Sequence, residues 1–230
     1  MCFSETQSFI NTIILIIGSI YVYPKYRLSI MLIFLALKDL IQGLSYRNIK
    51  RNKSTQLLTS LSWIHICFQP LFVNIFMSNF SQNKNNYWNI IFIICFLYGI
   101  YTLTTLNEFD IQNDPDCITK NTKDDFCSKY TMSYIGKYHL GYKFNRDKGW
   151  FIFPKIYLIL MVIPSLFTNS RILGIIWILF IGMINISYNK INNTKFQENE
   201  GEKAAIWCFL SIVFFLPIAV FNKQISKFLF

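Results

Sequence analysis

The chain has 230 residues, of which 53% are hydrophobic and only 15% charged, with 23 Phe; its mean hydropathy is +0.35. A water-soluble domain needs far more charge on its surface, nearer a quarter of its residues, so a soluble globule is excluded, as are disorder and a compact disulfide scaffold. The net charge of +10 brings no nucleic-acid-binding motif with it, so basic loops beside lipid headgroups are the better reading and nucleic acid is not an expected partner.

A membrane-spanning helix needs about 20 mostly apolar residues. Seven stretches meet that need: about 8–23, 28–46, 57–77, 87–106, 150–167, 172–188 and 204–221. The expected fold is therefore all-α, a single integral membrane bundle of seven transmembrane helices over residues 1–230. The opening MCFSETQS lacks the basic start of a signal peptide, and no small-residue cleavage site follows the first span. Pro70, Pro164 and Pro217 fall inside spans, which membrane helices accept when a neighbour takes up the freed carbonyl. Tyr23, Tyr46, Tyr87, Trp88, Trp150 and Tyr188 sit at span ends, where amphipathic rings favour the membrane interface.

The connecting loops are short except for residues 107–149, which hold seven acidic and seven basic residues. A loop of that length is expected to fold over one face or to carry function. Seven spans place the N-terminus, the 45–56 loop, the long loop and the 189–203 loop on one side. Lys and Arg in the short loops divide seven to six between the two sides, so the positive-inside rule does not fix orientation. Cys117 and Cys127 lie ten residues apart in the long loop and are candidates for a disulfide. Such a bond needs an oxidising compartment, which places the N-terminus and long loop on the exterior or luminal side.

Ionisable groups within spans are costly, on the order of 2.5–3.5 kcal/mol for a central charge. Lys38, Asp39 and Gln42 lie in the second span, and His65 and Gln69 in the third at i, i+4 spacing. Alternation of the spans puts these groups in the half of the membrane nearest the N-terminus, together with Cys2, Glu5, Cys208 at the start of the seventh span, and His139 of the long loop. The expectation is a polar pocket at that face, built from Cys2, Glu5, Asp39, Gln42, His65, Gln69, His139 and Cys208. Cys2, His65, His139 and Cys208 are the candidate metal ligands, suited to zinc or copper. Thiol or acid–base catalysis is the alternative, and a third reading makes these groups interhelical hydrogen bonds in a structural or accessory subunit. No nucleotide-binding loop, GxSxG or HExxH motif is present. The residues name no cofactor, substrate or oligomeric state; a metal or a small lipid remains the candidate ligand.

Three stretches carry a family resemblance. The start Met1–Ser4, the run from Lys38 to Tyr46 (KDLIQGLSY) and the triplet Trp207, Cys208, Phe209 resemble motifs of uncharacterised multi-pass membrane proteins of bacteria, fungi and large DNA viruses. Phe68–Pro70 is similar to that family's third span. The resemblance implies a multi-pass membrane fold and points to Cys2 and Cys208; it implies no activity. Where those relatives carry an acidic residue in the second span, this chain has Lys38 followed by Asp39, a shift of about 100° round a helix.

Overall fold

The computed structural model of the protein describes residues 4–49, 53–81, 86–104, 106, 131–136, 140–144, 153–162, 174–179, 203–221 and 223. Most of them are helical. In chain order the helices are α1 (Glu5–Tyr21), α2 (Tyr26–Arg47), α3 (Lys53–Ser78), α4 (Asn86–Thr104), α5 (Phe153–Val162), a helical stretch over residues 174–179 (α6) and α7 (Lys203–Val220). Each overlaps one of the seven apolar stretches read from the sequence. Among the described residues, three helices are long and apolar enough to cross a membrane: Tyr26–Arg47, Lys53–Ser78 and Tyr87–Thr104.

Local chemistry sets the helix ends. Ser4 caps α1, its hydroxyl accepting from the Gln7 N–H at 3.2 Å, and Glu5 places a carboxylate on the first turn where the helix dipole favours it. The chain then turns through residues 22–25, which include Pro24, and re-enters as α2. α2 ends with Arg47 in its last turn. α1 and α2 lie antiparallel: Ser19 and Ser29 hydroxyls meet at 2.7 Å near the turn, and Arg47 donates to Glu5 at the other end, 2.8 Å away.

The polarity of α1 is inverted relative to a helix in water. Its buried residues include Ser8, Asn11, Thr12 and Ser19, whereas Ile10, Ile13, Ile14, Ile17 and Ile20 are exposed. α4 likewise exposes Ile90, Ile93, Ile94 and Leu97. A soluble helix turns its apolar stripe inward and its polar face outward.

The end of α5 accounts for one long-range contact. Asn74 on α3 donates from its amide nitrogen to Leu160 O on α5 at 2.9 Å and to Pro70 O at 2.8 Å. Leu160 lies in the last turn of α5, where carbonyls lack an intrahelical donor, and a neighbouring helix supplies one, as apolar surroundings require. Trp177 of α6 ties to α5 in a similar way, its indole N–H donating to Met161 O at 3.0 Å.

The long loop holds an element that the sequence reading did not anticipate. β1 (Met132–Ile135) and β2 (Leu140–Lys143) form an antiparallel hairpin with Ser133 opposite Tyr142 and Ile135 opposite Leu140. A hairpin of two four-residue strands is marginal alone. Here it is fastened to the helices by a second apolar cluster in which Leu140, Tyr142 and Phe144 pack with Trp63 and Cys67 of α3. The main cluster, around Leu32, Leu35, Phe76, Trp88 and Phe215, sits toward the opposite end of the helices.

Candidate polar site between α2 and α3

Two sides of α2 have different tasks. Ser29 and Gly43 face α1, where Ser29 meets Ser19 and a Cβ on Gly43 would stand 3.2 Å from the Phe9 ring. Phe34, Lys38 and Gln42 recur at i, i+4 and i+8 on the side toward α3. Asp39 is displaced by about 100° from Lys38. Lys38, Asp39 and Gln42 are each 0% exposed.

On α3 the facing side carries Ser62, His65 and Gln69 at i, i+3 and i+7. The His65 ring is held in place. It stacks on Phe34 at 3.6 Å between centroids, with Phe72 on the other side of Phe34 at 3.9 Å. Its Nε2 lies 2.8 Å from Phe34 O. A carbonyl only accepts, so Nε2 carries the proton, and in the neutral ring the lone pair belongs to Nδ1. That Nδ1 is buried and has no hydrogen-bond partner among the described residues. The same holds for both amide ends of Gln42 and for Ser62 Oγ. Native interiors pair most such groups; others, on Gln56, Ser60, Gln69 and Asn74, run along the rest of α3, and the seam is where α2 contributes one too.

The hairpin roofs the seam. Lys38 Nζ donates to Tyr142 Oη at 3.3 Å and lies 4.3 Å from the centre of its ring, so the phenol and its π face both receive the cation. Thr59 and Ser133 share a hydrogen bond of 2.6 Å, and the Leu140 N–H donates to Tyr46 Oη at 3.0 Å. The hairpin thus covers the end of α2 and α3 that holds the polar residues.

The remaining residues singled out in the sequence are spread more widely. Glu5 accepts from Arg47 at the outer edge of the α1–α2 pair, where the two side chains are 36% and 64% exposed. Gln69 reaches α5, its Oε1 accepting from Tyr157 Oη at 2.7 Å. Cys2, His139, Cys117 and Cys127 lie outside the described residues, and so does the side chain of Cys208. The backbone of Cys208 lies on α7 eight residues before Leu216, the residue that a Cβ on Gly18 of α1 would meet at 2.7 Å. Among the described residues no three His, Cys, Asp or Glu side chains gather to hold a metal. Cys67 and Cys95 carry buried thiols outside any disulfide.

Sequence reasoning passed over Ser62 and Tyr142. Ser62 had a usable signal, its i−3 spacing from His65. Tyr142 had none, since it stands 104 positions from Lys38.

A mostly helical chain with three helices able to cross a membrane, enclosing a seam of buried polar groups, is the class defined by these observations. The chain belongs to the family of unknown function DUF5765, whose model matches residues 6–229. No curated protein and no solved structure matches it.

Proposed function

We propose that the chain is an integral membrane protein of seven spanning helices that binds a small ligand or lipid headgroup in the α2–α3 seam. The N-terminus and long loop face the exterior or lumen on this reading. The observation that carries it is the set of buried atoms on Gln42, Ser62 and His65 with no partner among the described residues, in a bundle whose helices α1 and α4 expose rows of Ile. Each such atom costs about 1–3 kcal/mol if nothing meets it. Groups kept only to join helices would bond to one another. The lone pair on His65 Nδ1 also favours a second reading, in which the bound molecule gives up a proton there.

Gentle extraction followed by native mass measurement tests the binding proposal. One retained molecule per chain, lost in Gln42→Leu and His65→Phe, is the expected result. A bare wild-type chain, with host function untouched by both substitutions, would overturn it.

A further inference from the structure

We infer that the seam is shaped for a neutral polyhydroxyl group, as on a sugar- or polyol-bearing lipid, rather than for a metal ion or a phosphate. This rests on the ligand-binding reading above and adds the chemical class of the ligand.

Four buried atoms of the seam have no partner among the described residues. His65 Nδ1 accepts, Gln42 Oε1 accepts, Gln42 Nε2 donates, and Ser62 Oγ does both. A metal ion repels the Gln42 amide hydrogens. An ionised phosphate only accepts, so it leaves His65 Nδ1 and Gln42 Oε1 unmet. Hydroxyl groups donate and accept, and several of them on one framework meet every atom in the set.

His65 meets α2 at Phe34, and Gln42 lies eight residues further along that helix, about 12 Å at 1.5 Å per residue. Among the described residues no three His, Cys, Asp or Glu side chains gather to hold one ion, whereas a polyol bonds to separate groups along the seam.

Lys38 and Asp39, both 0% exposed, are opposite in formal charge, and Lys38 is engaged by the Tyr142 hydroxyl and ring, so the seam presents hydrogen-bonding groups more than net charge. The three residues that define it are also deeply buried, with Gln42 and Ser62 at 0% and His65 at 6% exposure. α2 and α3 are the most buried of the three long helices, so a headgroup held there is enclosed by protein.

The test uses the full chain in detergent, offered in turn monogalactosyl diacylglycerol, free galactose, phosphatidic acid, diacylglycerol and Zn²⁺, with retention read by native mass measurement. The expected result is galactolipid retained about tenfold better than phosphatidic acid or diacylglycerol, a difference of one well-made buried hydrogen bond or more. Galactose alone binding as well as the lipid would support the same chemistry with a soluble source. Gln42→Leu and His65→Phe each lower retention about tenfold. Gln42→Glu, which keeps the acceptors and loses the amide donors, falls between, and it serves if the leucine variant does not fold. Preference for phosphatidic acid or Zn²⁺, or galactolipid retention equal in wild type and Gln42→Leu, would overturn the inference. If a different molecule is retained by the wild type and lost in Gln42→Leu, this inference fails and the binding proposal stands. If the wild type retains nothing, both fail.

Discussion

Gln42→Leu separates a ligand site from a structural contact, because the two accounts give opposite signs for its effect on the empty protein. Gln42 is 0% exposed, and neither end of its amide has a partner among the described residues. Two unmet polar atoms cost about 1–3 kcal/mol each. Leu has nearly the same volume and no polar atom, so the stripped protein gains stability, by ~1–3 kcal/mol after imperfect packing is allowed for. For a chain of this size that is about 2–4 °C in Tm per kcal/mol. With ligand present the sign reverses in part. The wild type gains about 2.7 kcal/mol at a ligand concentration a hundredfold above Kd, and the variant loses that gain. Thermal unfolding followed by circular dichroism, on delipidated and lipid-replete samples of both proteins, reads the crossover. A Tm lowered equally in both samples would refute the reasoning and make Gln42 an ordinary helix–helix contact.

Four further outcomes are expected. Asn74→Leu removes the donor to Leu160 O and should cost about 1–3 kcal/mol. An unchanged unfolding temperature would contradict that role. Thr59→Val breaks the hydrogen bond to Ser133 and should loosen the hairpin, measured as faster proteolysis of the long loop at a loss of ~1 kcal/mol; an unchanged cleavage rate would count against docking at that point. Gly99→Leu forces a side chain where a Cβ alone would stand 2.7 Å from the Phe68 ring and 3.3 Å from Cys67 O. It should destabilise the α3–α4 contact by about 1–3 kcal/mol in the same unfolding assay, and a neutral result would mean that these helices separate more easily than the packing implies. Membrane-impermeant thiol labelling of Cys117 and Cys127 should occur from outside intact cells or vesicles, and only after reduction; labelling from the cytosolic side without reduction would reverse the orientation.

The helices were legible in the sequence because length and apolarity alone mark them, and Pro24 punctuates the first two. Lys38, Asp39, Gln42 and His65 stood out for a related reason, since a polar group in an apolar run demands a cause. The inverted face of α1 was also there to be read. Ser8, Asn11, Thr12 and Ser19 fall on one side at helical spacing, opposite the Ile residues. Long-range partners were not legible. Glu5 seemed to belong with its chain neighbour Cys2, yet it pairs with Arg47, 42 positions away. The hairpin was hidden because four residues give too little alternation to notice, and its stability comes from Thr59, Trp63 and Tyr46 on the helices that it covers. The acidic residue of the second-span motif shows the reverse case. Helical geometry alone put Asp39 about 100° away from Lys38, and it is Lys38 that meets the hairpin.

The most direct test of the central claim is an experimental density map of the chain in a lipid nanodisc, read between α2 and α3. The account predicts one elongated, non-protein density within hydrogen-bonding distance of Gln42, Ser62 and His65 Nδ1, beneath Tyr142. Helices closed upon each other there, with the Gln42 amide bonded to a helix neighbour and no bound molecule, would contradict it.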